Sequence, residues 1–385
     1  MIKISNKRKC SGCKACQNVC SKDAISFMDD NEGFWYPVVD LDKCIHCGLC
    51  EKACPFNRED YGIPEFNKTY TPEFFAAQIK DESLLNLVSS GGAFQALAKT
   101  VLASDGIVYG AAQENVDRIY HVRVTNDDEL KKTRKSKYFQ SDVLNCYSLA
   151  KKDLIDGKIV LFSGTGCQIA GLNCYLEKEY ENLYTCEVVC HGVPSRRVWD
   201  CYRREKEASE GKKIVDLIFR DKTIGWSKNQ YKITYEDGSV EYERSAYQLF
   251  HAGFLQGLFY RPSCGSCPFA KLPRVADITL ADFWRYKGEW NYNDLGVSLV
   301  AVNNSQGLQL LKKAKEYLKI EKVTREAALG SCRHMDLHPT ENPYRNDFLK
   351  LTFSEGYYKA ADKYIVIHKD KGIIVKLKSL LRRIK

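Results

Sequence analysis

The sequence contains no apolar run approaching the roughly 18 residues that a bilayer-spanning helix requires, which argues against an integral membrane protein. Its basic opening, MIKISNKRKC, is followed by no apolar stretch, so no secretory signal is expected. Low-complexity tracts are absent, and the one internal repeat is a doubled cysteine motif. No recognisable nucleic-acid motif occurs. Hydrophobic residues at 44% and charged residues at 28% are ordinary for a globular chain. The 385 residues suffice for two or three domains and a large core. A cytoplasmic location is expected.

Cysteine, in contrast, is abundant. Seventeen is a high count for a reducing compartment, where a disulfide framework would not persist, and an odd number suits such a framework poorly. Metal ligation explains it better. The formal charge of +9 then shrinks as well. A [4Fe–4S] cluster with four thiolates carries roughly −2, so three of them would leave about +3. The surplus is therefore no argument for a nucleic-acid partner.

Eight cysteines crowd into residues 10 to 54. Cys10, Cys13, Cys16 and Cys20 follow C-x2-C-x2-C-x3-C, and Cys44, Cys47, Cys50 and Cys54 repeat it, with Pro55 next. Three thiolates at this spacing wrap one corner of a cubane, while the fourth reaches the other cluster. Cluster one is thus assigned to Cys10, Cys13, Cys16 and Cys54, and cluster two to Cys44, Cys47, Cys50 and Cys20. Gly12, Ala15, Gly48 and Ala53 leave room for iron. Two structural zinc sites would not need this spacing twice over. Ser21 stands where the first motif normally has proline; no ligand is lost.

Beyond a linker at Pro55 to Pro72, helices and strands alternate. AFQALAKTVLA (93–103) reads as a helix. GIVYGAA (106–112), KIVLFSG (158–164), LYTCEVVC (183–190) and ADITLADF (276–283) read as strands, each ending in a polar loop. The expected architecture is an α+β ferredoxin-like N-terminal domain followed by an α/β domain with a mixed sheet. Its site would lie at the strand ends. The expected boundaries are 1–57, a linker at 58–75, 76–335, and a C-terminal extension at 336–385.

Cys167, Cys190, Cys264 and Cys267 sit at the ends of these strands or in loops. Singly, each reads as a small buried hydrophobe. Together they number four, include a C-x2-C pair, and suffice for one further cluster. Cys146, Cys174, Cys186, Cys201 and Cys332 read as packing residues. Cys332, His334 and His338 fit no standard zinc spacing.

SSGGAF, SKYFQSD, LFSGTGCQIAGL, CHGVPS, C-x2-C-P and ADITLADFW, in that order, resemble the coenzyme F420 hydrogenase/dehydrogenase beta-subunit family over roughly residues 70 to 335. The resemblance implies an FAD-binding α/β protein with a [4Fe–4S] cluster beside the flavin, held by Cys167, Cys190, Cys264 and Cys267. Three [4Fe–4S] clusters and FAD are then expected. Implied partners are a soluble ferredoxin or another redox protein, with F420 or a small-molecule substrate. Some relatives reduce chlorophyll-type pigments with electrons from ferredoxin. Gly166 replaces the usual proline of GTPCQ, and Ala281 the glycine often seen in GDFW; neither is a ligand. Nothing here encodes a nickel site, so hydrogen chemistry does not carry over.

On this resemblance Ser89, Ser90, Gly91 and Gly92 are candidates for the FAD pyrophosphate, since glycines permit close backbone approach and a helix N-terminus favours negative charge. On the residues alone they read as a capping turn. Ser136, Lys137, Tyr138, Gln140 and Ser141 form the next cofactor patch. Lys137 would stabilise reduced flavin and Tyr138 would stack, or the segment is a solvated basic loop. Thr165 and Gln168 flank Cys167 as further cofactor contacts. His191 is a proton donor or a hydrogen-bond partner of cluster sulfur. Asp282 binds a ribityl or substrate hydroxyl, or caps a turn.

The tail IIVKLKSLLRRIK places Ile373, Ile374, Leu377, Leu380, Leu381 and Ile384 on one helical face, with Lys376, Lys378, Arg382, Arg383 and Lys385 around it. Such a helix lies on a membrane surface or packs on its own domain, and packing is favoured. The leading reading is an oxidoreductase joining ferredoxin-type clusters, FAD and an organic substrate or F420. The alternative is an electron-transfer subunit with no substrate of its own.

Overall fold

In a sheet covered on both faces, successive side chains enter opposite cores. Val160 and Phe162 point into one core with Ile107, Tyr109 and Leu183, while Leu161 joins Val108 and Tyr184 in the other. The computed structural model in which this alternation is seen describes residues 1–245, 247–291 and 293–367. The basic tail from 373 lies outside the described residues.

The N-terminal segment pairs β1 (Ile25–Asp29) with β2 (Trp35–Val39) as an antiparallel hairpin. The strands that follow are β3 (Glu73–Ile79), β4 (Ile107–Gln113), β5 (Ile119–Val124), β6 (Val160–Thr165) and β7 (Leu183–Val188). Next come β8 (Ile214–Asp221), β9 (Gln230–Tyr235) and β10 (Val240–Arg244), then β11 (Ile278–Asp282), β12 (Ser298–Val302) and β13 (Leu318–Val323). Among the described residues eight of them form one mixed sheet in the order β13-β3-β12-β11-β7-β6-β4-β5. Its centre, β11-β7-β6-β4, is parallel and its flanks are antiparallel.

The helices Ala93–Leu102 and Ser305–Lys313 cover one face, and Cys146–Ile155 and Gly166–Leu176 the other. The mixed sheet and the five segments 93–103, 106–112, 158–164, 183–190 and 276–283 were legible beforehand. The antiparallel strands β3, β5, β12 and β13, and a separate sheet β10-β9-β8, were not. That smaller sheet shares a core with the helices Arg196–Glu210, Arg345–Glu355 and Tyr357–Tyr364. No helix among the described residues is long and apolar enough to cross a membrane.

The parallel strands run the same way, so their carboxyl ends share one edge of the sheet, the usual place for a site in such folds. Thr165 ends β6 two residues before Cys167, and Val188 ends β7 two before Cys190.

Candidate functional site

The doubled motif folds into two loops with the same backbone. In the first, Gly12 and Lys14 adopt positive φ, at 69° and 63°; in the second, His46 and Gly48 do so, at 56° and 76°. These are the second and fourth positions after the leading cysteine in both loops, so the repeat in sequence is a repeat in conformation.

Cys20, Cys44, Cys47 and Cys50 line one small pocket, walled by Ile25, Val39, Ile45 and Leu49. Backbone amides point at sulfur: Ile2 N donates to Cys50 Sγ at 3.2 Å and Ala24 N to Cys20 Sγ at 3.4 Å. Cys47 is exposed. The set of Cys10, Cys13, Cys16 and Cys54 lies deeper. Burial pushes the Cys13 thiol well above its usual value, and the nearby Cys54, Cys16 and Cys167 push the same way. Burial raises Cys54 too, with Cys10 and Cys50 adding to it. The interleaving expected from spacing, with Cys54 beside the first loop and Cys20 beside the second, is present in these contacts.

The strand-end cysteines also converge. Burial raises the Cys267 thiol well above its usual value, with Cys167, Cys264 and Cys190 contributing. Burial likewise raises Cys190 to about 11 and Cys264 to about 12. Thiols so costly to ionise bare give up their protons when iron binds. Cys167 sits in the first turn of the helix Gly166–Leu176, where Thr165 and Gln168 form a capping box. Thr165 Oγ1 is 3.2 Å from Cys167 Sγ, and Gly192 N donates to Cys190 Sγ at 3.4 Å. Among the described residues no three His, Cys, Asp or Glu side chains gather as a site for a single metal ion. Four thiolates around a cubane stand farther apart than four around one ion. All seventeen cysteines are free; Cys146, Cys174 and Cys186 are buried, Cys146 and Cys186 within apolar clusters.

The residues read as cofactor contacts divide into two groups. Gln140 Nε2 donates to the carbonyls of Ser11 and Gly12 at 2.9 and 3.1 Å, gripping the first cysteine loop. Gln168 Nε2 donates to Ser141 O at 2.9 Å, and Ser141 Oγ lies 2.7 Å from His121 Nδ1. These side chains hold protein to protein, and the reason is position: all lie where the N-terminal loop meets the carboxyl edge of the sheet.

The second group surrounds Asp282. Its carboxylate takes Arg220 Nη1 at 2.7 Å and Trp226 Nε1 at 3.3 Å. Burial acts to raise the Asp282 carboxyl, but Arg220 holds it below the usual carboxylate range. Ser90 Oγ donates to Val297 O at 2.9 Å, and a Cβ on Gly91 would come within 2.4 Å of Ala77 O, so that glycine is required by the sheet itself. Gly92 at φ +79° opens the helix Ala93–Leu102. Tyr138 packs on Phe219 at 5.0 Å between ring centroids, near Arg220. Trp284, 42% exposed, stacks on Trp226 at 4.3 Å.

Cations outnumber anions here. Burial lowers Lys137 to about 7, and its Nζ meets only Arg134 O, at 2.6 Å. Burial, with Lys135 and Arg220 nearby, brings Lys222 to about 7. Arg134 Nε is buried without a partner. A diphosphate and a reduced flavin are both anionic, so the donor chemistry fits FAD. Ser89 and Ser136 are half-buried beside this patch. His191 packs against His334 at 4.6 Å and Phe254 at 5.4 Å, and burial lowers it to about 4, so its ring is neutral at pH 7. A wider cleft of about 860 Å³ opens at the opposite, amino end of the strands, by Arg58, Asp60 and Leu183, and gathers none of these groups.

Sequence reasoning missed Arg220, Lys222, Trp226 and Arg261, which lie far from any motif or beside one without belonging to it. Only the Y-R-P-S-C setting of Arg261 hinted at proximity to a ligand.

A family model for the C terminus of the coenzyme F420 hydrogenase/dehydrogenase beta subunit matches residues 157–327. One described as a 4Fe-4S dicluster domain matches residues 9–58. An uncharacterized ferredoxin of Methanocaldococcus jannaschii is 35% identical over 54 residues, 14% of this chain and 69% of the relative. A component of the anaerobic dimethyl sulfoxide reductase of Escherichia coli is 39% identical over 62 residues, 16% of this chain. Those residues span about a quarter of the relative, 26%. A solved chain of the F420-reducing [NiFe] hydrogenase complex from Methanosarcina barkeri shares 16% identity over 78% of this chain and 92% of its own. Its TM-score of 0.45 is too low to argue from. The dicluster segment and the gathered thiols define an iron–sulfur protein of the electron-transfer class. The chain joins a 4Fe-4S dicluster domain at residues 9–58 to a segment, residues 157–327, that matches the C-terminal family of the coenzyme F420 hydrogenase/dehydrogenase beta subunit.

Proposed function

We propose that this chain passes electrons between a redox protein, such as a soluble ferredoxin, and an organic substrate or an F420-like hydride carrier, using three [4Fe–4S] clusters and FAD. The observation that carries the reading is the run of three thiol sets from the exposed Cys47 to the half-buried Cys267, with Cys13 and Cys167 close enough to feel each other's charge. Cys44, Cys47, Cys50 and Cys20 would hold the outermost cluster. Cys10, Cys13, Cys16 and Cys54 would hold the second, and Cys167, Cys190, Cys264 and Cys267 the third. Residues 1–57 are then the ferredoxin domain and 76–335 the FAD and third-cluster domain. Free thiols in such number suit a reducing compartment such as the cytoplasm.

Flavin, when bound, exchanges single electrons with clusters and hydride with nicotinamide-like carriers. Lys137 and Arg134 would supply positive charge to its diphosphate or reduced ring, and the Ser89–Gly92 turn would offer it the N-terminus of a ten-residue helix. Trp284, partly exposed with Trp226 stacked on its ring and Arg220 over it, would stand at the rim of the site. His191, neutral, is placed to hold a proton near Cys190 without carrying charge.

A second reading, an electron-transfer subunit with no substrate of its own, is favoured by Gln140, Ser141 and Gln168, whose polar groups serve protein contacts. Anaerobic purification with iron, sulfide and flavin analysis tests both. About twelve irons and one FAD per chain are expected. Twelve irons without flavin favour the second reading, and eight irons reject the third cluster.

A further inference from the structure

Most of the fully buried cations among the described residues come with carboxylates. Lys14 pairs with Asp142 at 2.6 Å, Arg220 with Asp282 at 2.7 Å and Arg274 with Glu187 at 2.6 Å. Lys206 pairs with Glu241 and Glu243, and Arg345 with Glu32. Lys222 has three carbonyls instead, but an amine can shed its proton. Arg261 cannot, since a guanidinium stays charged in any protein setting.

Arg261 has 0% exposure, and among the described residues no carboxylate lies within ion-pair distance of it. Its Nη2 donates to the Trp35 carbonyl at 2.5 Å, and its other contacts lead to the cysteine loops. Nε donates to Cys10 O at 2.8 Å, Nη2 lies 3.8 Å from Cys10 Sγ, and Nη1 donates to Gln140 Oε1 at 3.2 Å. Its backbone carbonyl takes the amide of Cys264 at 2.9 Å. The guanidinium stands over the Tyr36 ring at 4.6 Å and acts on the Cys167 and Cys264 thiols electrostatically. A Cβ on Gly12 would come within 3.0 Å of Nη1, so the glycine of the first motif makes room for this charge. An uncompensated buried charge costs several kcal/mol. The missing anion is accounted for if two thiolate-ligated clusters flank the guanidinium.

We infer that Arg261 is the shared counter-charge of the inner two clusters, a positioning residue that raises both their reduction potentials and keeps electrons moving inward from the Cys47 end. The inference rests on the three-cluster reading above. Each cluster gains one electron, lost by the redox partner, and the added negative charge is what the guanidinium favours. None of its hydrogen bonds goes to Cys20, Cys44, Cys47 or Cys50, so the outer cluster lies beyond its direct contacts.

The test is a potentiometric titration of the holoprotein, followed by electron paramagnetic resonance, in wild type, Arg261→Gln and Arg261→Lys. Arg261→Gln, fully loaded with iron, should lose at least tenfold in the reduced-to-oxidised ratio of two clusters at a given potential. For a one-electron couple that is 59 mV toward negative potential. The outer cluster, assigned to Cys20, Cys44, Cys47 and Cys50, should stay put, and Arg261→Lys should lie nearer wild type than Arg261→Gln. Unchanged midpoints, or an equal shift of all three, overturn the inference while leaving the iron count intact. If Arg261→Gln does not load, Arg261→Lys decides: midpoints near wild type support the inference and a general shift overturns it. Failure of both variants to load iron at any site overturns it in favour of a purely structural anchor. An iron count near eight in wild type instead overturns the three-cluster reading on which it rests.

Discussion

Tyr147 lies with its hydroxyl between the carbonyls of Cys13, at 3.1 Å, and Gln168, at 2.8 Å. One side chain of the sheet domain thus ties the first cysteine loop to the helix that bears Cys167. A Cβ on Gly171 of that helix would approach Cys13 Sγ to 3.1 Å, so the two elements touch directly. Tyr147→Phe leaves one buried carbonyl without its donor and should cost about 1–3 kcal/mol of stability. Denaturant unfolding of the holoprotein checks this, and an unchanged midpoint would remove Tyr147 as a tie.

Iron stoichiometry separates the thiol sets. Cys264→Ser should bring iron from about twelve to about eight per chain while the dicluster signals persist. A loss that spreads over all the clusters would show that the strand-end cysteines are not an independent set.

Arg274 and Glu187 form a buried pair with side-chain exposures of 2% and 0%, and Thr279 Oγ1 adds a hydrogen bond to the same carboxylate oxygen at 2.8 Å. Arg274→Met would leave a carboxylate buried and unpaired, at a cost of about 3–5 kcal/mol. Double replacement by Arg274→Met with Glu187→Leu should recover much of that. A double variant as unstable as the single one would contradict the account.

His121 is buried, with Nδ1 on Ser141 Oγ and Nε2 on Ser163 O at 2.8 Å, and burial lowers it to about 4. In the unfolded chain an imidazole takes a proton near pH 6.5. The neutral folded ring therefore contributes stability above pH 6.5 that is lost progressively as the pH falls toward 4. Urea midpoints between pH 7 and 5 should drop with acid in wild type and drop less in His121→Gln. Equal slopes in the two proteins would deny the assignment.

Much of the site was legible beforehand because local spacing dictates it. Eight cysteines within 45 residues at C-x2-C-x2-C-x3-C leave few ways to arrange thiolates, and the left-handed residues at matching positions follow from the same wrap. Short, continuously apolar β-rich runs that end in polar loops made β4, β6, β7 and β11 readable. Of the antiparallel flanks, β5 was not, because it is an ordinary polar-apolar mixture.

The sequence by itself determined how many thiolates there are and which of them fall within one loop, since a few residues of backbone cannot separate them. Only tertiary structure decided that Cys167, Cys190, Cys264 and Cys267, spread over a hundred residues, come together at one edge of a parallel sheet. It also decided that Gln140 serves the first cysteine loop and that Arg261 stands without a carboxylate. Burial and charge balance belong to neighbours contributed by distant segments, and no local pattern records them.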